Sequence, residues 1–394
     1  VGREAVAVHI ENREGGRVKN GAPGRLDASG FEPVRVLVER AARSNPGTDR
    51  ILSRLGNLPI EEIESANDWI RARSRDSHPE PACILAVQKG RFLKPCPCSP
   101  GSRRCGYHFL NLVTNCTLGC SYCILQEYLA NPFLTLYTNF EDCLREVARE
   151  LDSRSGFMRI GTGELTDSLL LDPLVDYNRR LVSFFSRREN AVLELKTKTD
   201  RVDPLLSLDH GGRVIVSWSL APDAVIRREE GFAASLAARL DAAERCVRAG
   251  YPVGFHFDPL LYYEGWEEDY RTTVDRLFER IEAERISWVS LGTLRYPAGM
   301  ERRLRERHPR SGIYLAESFP GPDGKMRYFR PLRQRMYSRL RSRIREHDRT
   351  VAVYLCMETE AVWRSVFGAF DPGRALRGLL DRAAECREGK RAPR

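Results

Sequence analysis

Asn115-Cys-Thr-Leu-Gly-Cys-Ser-Tyr-Cys-Ile-Leu-Gln126 places three cysteines, Cys116, Cys120 and Cys123, within eight residues. Iron–sulfur clusters are held by cysteine thiolates, and three of them hold three irons of a four-iron cluster. The fourth iron is then open to a substrate or cofactor. Zinc is the competing reading of the triplet, although zinc favours four tetrahedral ligands, usually from two separated cysteine pairs.

Working outward, Tyr107–Thr114 reads as a strand that delivers the triplet. Five further strands are expected at Met158–Gly161, Val192–Thr197, Arg213–Ser219, Pro252–Phe257 and Ile286–Leu291. Between them lie amphipathic stretches with helical periodicity, at Phe140–Leu151, Pro173–Ser186, Ala233–Ala249 and Glu267–Glu284. Short apolar runs alternating with helices imply βαβ units and a parallel sheet. The fold class is therefore α/β, either a partial (β/α)6 TIM-type barrel or an open doubly wound sheet. Both collect functional groups at the C-terminal ends of the strands. The three cysteines, Gly161-Thr-Gly-Glu, Lys196-Thr-Lys, Ser219 and His256-Phe-Asp-Pro all fall there.

The flanks read differently. Residues 1–35 are expected to be disordered, and 36–106 form an extension with helices at Thr48–Leu55 and Ile60–Arg71 and a strand from Cys83. Residues 107–310 make the barrel. Residues 311–372 form a basic cap with helix Met326–His347, strand Val351–Cys356 and helix Thr359–Gly368, and 373–394 a terminal helix and tail. No run of about 18 apolar residues suits a membrane span. Eleven cysteines without a signal-peptide pattern fit a reducing cytoplasm.

The net charge of +9 is concentrated. Between Arg295 and Arg349, fifteen arginines and Lys325 face six acidic residues, which accounts for the whole excess. Clustered cations are the footprint of a nucleic-acid binder, or equally a solvated helical face. Arg327, Tyr328, Arg330 and Arg333 are the contact candidates. Tyr262, Tyr263 and Trp266 are aromatics that either stack on bases or pack the core. His256 and Asp258, two apart on one strand, share a face and serve either substrate contact or support. Cys96, Cys98 and Cys105, with His108, are a candidate auxiliary metal group. Cys83, Cys246, Cys356 and Cys386 read as structural thiols.

Several motifs in order resemble the spore photoproduct lyase family of the radical S-adenosylmethionine (SAM) superfamily. They are Asn115–Gln126, Arg159-Ile-Gly-Thr-Gly-Glu-Leu-Thr-Asp-Ser, Leu193-Glu-Leu-Lys-Thr-Lys, Ser217-Trp-Ser-Leu, Gly254-Phe-His-Phe-Asp-Pro, Ser290-Leu-Gly-Thr-Leu-Arg and Gly324-Lys-Met-Arg-Tyr-Phe. The resemblance implies a radical SAM partial barrel with an N-terminal extension and a C-terminal α/β cap. It implies a [4Fe-4S] cluster on Cys116, Cys120 and Cys123, with SAM as the second cofactor. Gly161, Gly163, Glu164, Thr166, Lys198 and Ser219 match positions around SAM, and Asp167 either caps a helix or orients SAM. The reduced cluster would cleave SAM to methionine and a 5′-deoxyadenosyl radical, which in the family opens a methylene-bridged thymine dimer in DNA. The implied partners are DNA and a one-electron reductant such as flavodoxin or ferredoxin.

Two positions depart from that pattern. Glu164 stands where the family has a cysteine that returns hydrogen to the product radical, and a carboxylate O–H is too strong a bond for that task. Tyr122 keeps the first of a tyrosine pair around the third cysteine, while Ile124 replaces the second. Cys143, on an expected helix, is either a substitute donor or a small core residue. Two alternatives stay open, the same radical chemistry on a non-DNA substrate and a nucleic-acid-binding metal protein without turnover.

Overall fold

Val214–Ser219 is buried at every position, as a strand covered on both faces must be. It lies near the middle of an eight-stranded sheet in a computed structural model that describes residues 33–73, 81–129, 131–368 and 372–385. In chain order the strands are β1 Leu93–Pro95, β2 His108–Leu110, β3 Met158–Gly161, β4 Ala191–Thr197, β5 Val214–Ser219, β6 Val253–Leu260, β7 Ile286–Thr293 and β8 Val353–Leu355. Each strand neighbours the next in sequence from β1 to β8. All pairs are parallel except β1–β2. The sheet curls into a half-barrel.

Met158–Gly161 forms as expected, and the other inner strands differ by one to three residues at their ends, the largest where the strand expected to stop at Phe257 runs to Leu260. Larger differences have local causes. The expected strand Tyr107–Thr114 is two strands: His108–Leu110 joins the half-barrel, while Val113–Thr114 pairs antiparallel with Leu134–Tyr137 in a second sheet. Helix Pro173–Ser186 is broken at Asp176, whose φ of 55° is left-handed, into Asp172–Val175 and Tyr177–Phe185. A helix at Asp223–Glu229 was not foreseen.

The extension also holds more strand than expected. Arg35–Glu39 pairs in parallel with Ile60–Ile63 and Ala82–Ala86, which extends in parallel to Leu134–Tyr137. Ile60–Ile63 is thus a strand, and the helix expected from Ile60 starts at Ala66. Lys325–Tyr328 is likewise a strand between Arg295–Pro297 and Ser318–Pro320, so the helix expected from Met326 starts at Arg330. The C-terminal segment also supplies β8, which pairs with β7. Of the disorder expected for residues 1–35, residues 1–32 lie outside the described residues, as does the tail 386–394, while Arg35 already opens a strand. Among the described residues, no helix is long and apolar enough to cross a membrane.

Candidate radical site

The three-cysteine loop leaves the second sheet through Asn115, which adopts a φ of 78°. Asn tolerates this left-handed region, and its Nδ2 ties the turn by donating to Asn131 O (2.7 Å) and Phe133 O (2.8 Å). Gln126 Nε2 closes the other end on Cys120 O at 2.8 Å. The segment after helix Asp223–Glu229 clamps the loop from outside. Phe232 N donates to Leu118 O at 2.9 Å and Ser121 N to Glu229 O at 2.8 Å. Gly231 sits between them, and a Cβ there would stand 2.2 Å from Leu118 O.

Burial pushes the Cys116 thiol up to about 12 and raises those of Cys120 and Cys123. A bound cation reverses that penalty, since it takes a thiol as thiolate. The three sulfurs lie within electrostatic reach of one another. Among the described residues, no three Cys, His, Asp or Glu side chains converge on a single-ion position.

Tyr122 carries the loop into a buried charge network. Its hydroxyl donates to Glu230 Oε1, and Lys198 Nζ lies 3.0 Å from that hydroxyl and 2.9 Å from the same carboxylate oxygen. Arg239 pairs with the other oxygen of Glu230 and donates to Ser219 O at 2.8 Å. Glu230 and Arg239 are fully buried. Burial works to raise the Glu230 carboxyl, but Lys198 and Arg239 hold it down at about 2. Burial, with Glu230 beside it, keeps Tyr122 a protonated phenol. Glu230 and Arg239 were not legible in the sequence, for they belong to no motif.

The glycine-rich turn after β3 forms the facing wall. A Cβ on Gly161 would stand 1.7 Å from Tyr107 Oη, so only glycine lets that ring lie across the strand end. A Cβ on Gly163 would stand 2.8 Å from Lys196 Cβ. Asp167 caps the turn that follows: Oδ1 accepts from Leu169 N (2.9 Å), Leu170 N (3.0 Å) and Thr197 Oγ1 (2.8 Å), and Oδ2 from Lys198 N (2.7 Å). Glu164 pairs with Lys196 at 2.8 Å. Burial works against the Lys196 ammonium, but Glu164 and Glu194 hold it above its ordinary value. Thr166 and Thr117 each carry a buried hydroxyl without a partner among the described residues. Buried polar atoms are normally satisfied, so two orphans beside three thiols fit a bound polar ligand.

The concave face below is a second network. Glu194 Oε1 accepts from Ser217 Oγ (2.6 Å) and Trp288 Nε1 (3.2 Å), and lies 2.8 Å from His256 Nε2. Burial would raise this carboxyl, yet His256 holds it far below the usual range. Asp258 instead takes a two-pronged ion pair from Arg295 at 3.0 and 2.9 Å. His256 and Asp258 thus serve different partners.

Most of the expected nucleic-acid contacts turn inward. Tyr328 is 1% exposed and its hydroxyl accepts from Tyr262 N at 3.1 Å. Arg327 is held by Asp323 (2.6 and 2.7 Å) and Arg333 by Glu358 (2.8 Å), both buried. Those three are corrected to internal supports: the two arginine charges are answered by buried acids, and the Tyr328 ring is buried. Arg330 is exposed and has no ion pair among the described residues. Beside it Phe319 (41% exposed) and Phe329 (56%) lie 5.4 Å apart, ring to ring. Trp266 is buried, and Tyr263 Oη donates to Asp269 at 2.8 Å.

Known proteins resemble this chain in sequence and in fold. The sequence model of the spore photoproduct lyase family matches residues 99–334. Spore photoproduct lyase of Bacillus subtilis (strain 168) is 28% identical over 262 residues, 64% of this chain and 74% of that protein. The Geobacillus sp. (strain Y412MC61) protein of the same name is 27% identical over 301 residues, 73% and 86% of the two chains. In fold, a spore photoproduct lyase mutant solved with dinucleoside spore photoproduct superposes with a TM-score of 0.72 at 22% identity, covering 82% of this chain and 99% of that one. A double mutant with bound SAM and the dinucleoside gives 0.69 at 22% identity, covering 84% and 99%.

Proposed function

The chain belongs to the spore photoproduct lyase family, and from that premise we propose that it is a radical SAM enzyme that repairs a DNA pyrimidine photoproduct. The observation that carries this reading is three cysteines on one short loop, with Cys116 beside Asp167 of the glycine-rich turn and Cys120 beside Lys198, which Glu230 and Tyr122 hold.

Bound there, a [4Fe-4S] cluster and SAM would supply one-electron radical chemistry, and the chain's own residues would bind and orient them. The three cysteines hold the cluster. The Lys198 ammonium is positioned by Glu230 and suits a carboxylate. The Glu164 carboxylate suits an ammonium, and Thr166 and Thr117 offer their free hydroxyls. Arg239, from beneath, fixes Glu230 and so fixes Lys198. Asp167 sets the turn that carries Thr166, and the buried core beneath excludes water. Arg330, Phe319 and Phe329 form an exposed cationic and aromatic edge suited to single-stranded or extruded bases.

A second reading keeps the chemistry and changes the substrate. It is favoured by Glu164, locked to Lys196 where the family carries a cysteine, and by the inward turn of Arg327, Tyr328 and Arg333. One experiment separates the two. Anaerobically reconstituted, reduced protein is incubated with SAM and dinucleoside spore photoproduct, and thymine recovery is measured. Thymine supports repair. Cleavage of SAM without thymine leaves the chemistry and removes the substrate.

A further inference from the structure

A cluster held by Cys116, Cys120 and Cys123 needs an electron from outside the chain, and two outer segments cover that loop. Residues 300–315, which open with helix Met300–Arg307, lie over it. Tyr314 Oη donates to Ser121 O at 3.1 Å, and His308 Nε2 lies 3.3 Å from Gln126 Oε1. Arg303 pairs with Glu127, and Arg307 stands 3.7 Å from the same carboxylate. Ser311 Oγ donates to Glu229 Oε2 at 2.6 Å and Arg228 Nη2 to Arg310 O at 3.2 Å, which joins this strap to the clamp that ends at Phe232. The Phe232 ring borders the loop, for a Cβ on Gly119, next to Cys120, would stand 4.0 Å from its Cδ2. Phe232 is 55% exposed, so at that point one side chain lies between the loop and solvent.

This face combines two chemistries. Seven large apolar side chains are exposed among the described residues, and Tyr128, Phe232 and Leu315 are three of them. Tyr128 ends the short helix Leu125–Tyr128 that follows the cysteines, and Leu315 follows Tyr314. Beside them, residues 300–315 carry five arginines, all exposed, against two glutamates. Arg302 and Arg310 are the two whose side chains have no partner among the described residues, so only an outside acid answers their charge. Apolar groups among like charges suit a protein of opposite charge: the apolar part is desolvated and the charges steer the encounter. A phosphate backbone needs the cations but has no use for Leu315.

We propose that this face is the docking site of the enzyme's electron donor, a small acidic protein carrying a low-potential one-electron centre. The proposal rests on the radical reading above. In the docked pair the carrier is oxidised by one electron and the cluster is reduced by it, and no bond in the chain forms or breaks. Encounter surfaces of electron carriers are small, which a few apolar side chains and their neighbouring arginines satisfy. The arginines act at long range, so association weakens as salt rises.

The test drives the reconstituted full chain with two reductants, dithionite and reduced flavodoxin, an acidic carrier of that class, and measures 5′-deoxyadenosine formed from SAM. Arg302→Glu/Arg310→Glu is expected to keep the parent rate with dithionite and to lose about tenfold or more with flavodoxin, the scale of electrostatic steering. Added salt is expected to slow the flavodoxin-driven parent more than this variant. Leu315→Ser is expected to slow flavodoxin-driven turnover while keeping the parent's salt dependence. A second arm needs neither cofactor nor turnover. Fluorescence anisotropy of labelled flavodoxin titrated with the unloaded protein is expected to give a Kd about tenfold higher for the double variant. Equal flavodoxin-driven rates and equal Kd in the parent and the double variant overturn the proposal while leaving the radical reading intact. So does a double variant that keeps flavodoxin but binds single-stranded DNA more weakly, which assigns the face to nucleic acid. A parent that forms no 5′-deoxyadenosine with dithionite defeats the reading and the proposal together.

Discussion

Lys196 and Glu164 form an ion pair of 2.8 Å at the mouth of the half-barrel, each side chain about one-fifth exposed (23% and 21%). Glu164 is thereby an electrostatic residue. If it also receives the SAM ammonium, Glu164→Gln removes a charge-assisted hydrogen bond. SAM affinity should then fall about tenfold, from roughly 1.5 kcal/mol, with the circular dichroism spectrum unchanged. Equilibrium dialysis of the reconstituted protein checks this. Unchanged affinity would assign Glu164 to Lys196 alone.

Glu230 should govern acid stability. Its carboxyl sits at about 2 in the fold against an ordinary 4.5. A depressed carboxylate contributes stability that is fully present above its unfolded value and lost as pH falls through the folded one. The contribution is on the order of 3 kcal/mol, and it should vanish as pH drops from 4.5 towards 2. At neutral pH, Glu230→Gln should cost about 3–5 kcal/mol, because Lys198 and Arg239 lose their shared partner. Urea midpoints of both proteins across that range decide it: the parent should lose stability more steeply than the variant.

Asp167→Ala tests the cap. Four donors converge on this carboxylate, and a lost cap costs about 0.5–2 kcal/mol. The thermal midpoint should fall, and Asp167→Asn should recover part of the loss.

The strands were legible because buried parallel strands announce themselves as short apolar runs, as Val214–Ser219 does. Chain breaks were not. Nothing in the helical periodicity of Pro173–Ser186 marks Asp176 as left-handed. Tyr107–Thr114 reads as one apolar run, yet it serves two sheets. The three cysteines and the Gly161 turn were legible because metal and close-approach chemistry restrict residue type at fixed spacing. Glu230 was not, since it meets Tyr122 only through the fold, 108 residues away. The arginine-rich segment stayed ambiguous for a related reason. Its charges are answered by distant acids, Arg333 by Glu358, Arg335 and Arg339 by Glu267, and Arg343 by Asp275.

That difference predicts how arginine variants divide. Arg330→Ala should weaken DNA binding and reduce the salt-dependence slope by about 1, as loss of one phosphate contact does. Arg333→Ala should leave the slope unchanged and destabilise the fold by about 3–5 kcal/mol, because Glu358 stays buried. Phe329→Ala should weaken single-stranded binding by about 1–3 kcal/mol with little change in slope. Fluorescence anisotropy at several salt concentrations and denaturant melts separate the three.

Every chemical step proposed above depends on Cys116, Cys120 and Cys123 holding a cluster that cleaves SAM. Its most direct measurement is 5′-deoxyadenosine released by the anaerobically reconstituted, reduced protein given SAM, beside the same assay on Cys120→Ala. A brown parent protein that forms 5′-deoxyadenosine is expected beside a variant that forms none. A colourless parent protein, or a Cys120→Ala variant that still forms 5′-deoxyadenosine, would contradict it.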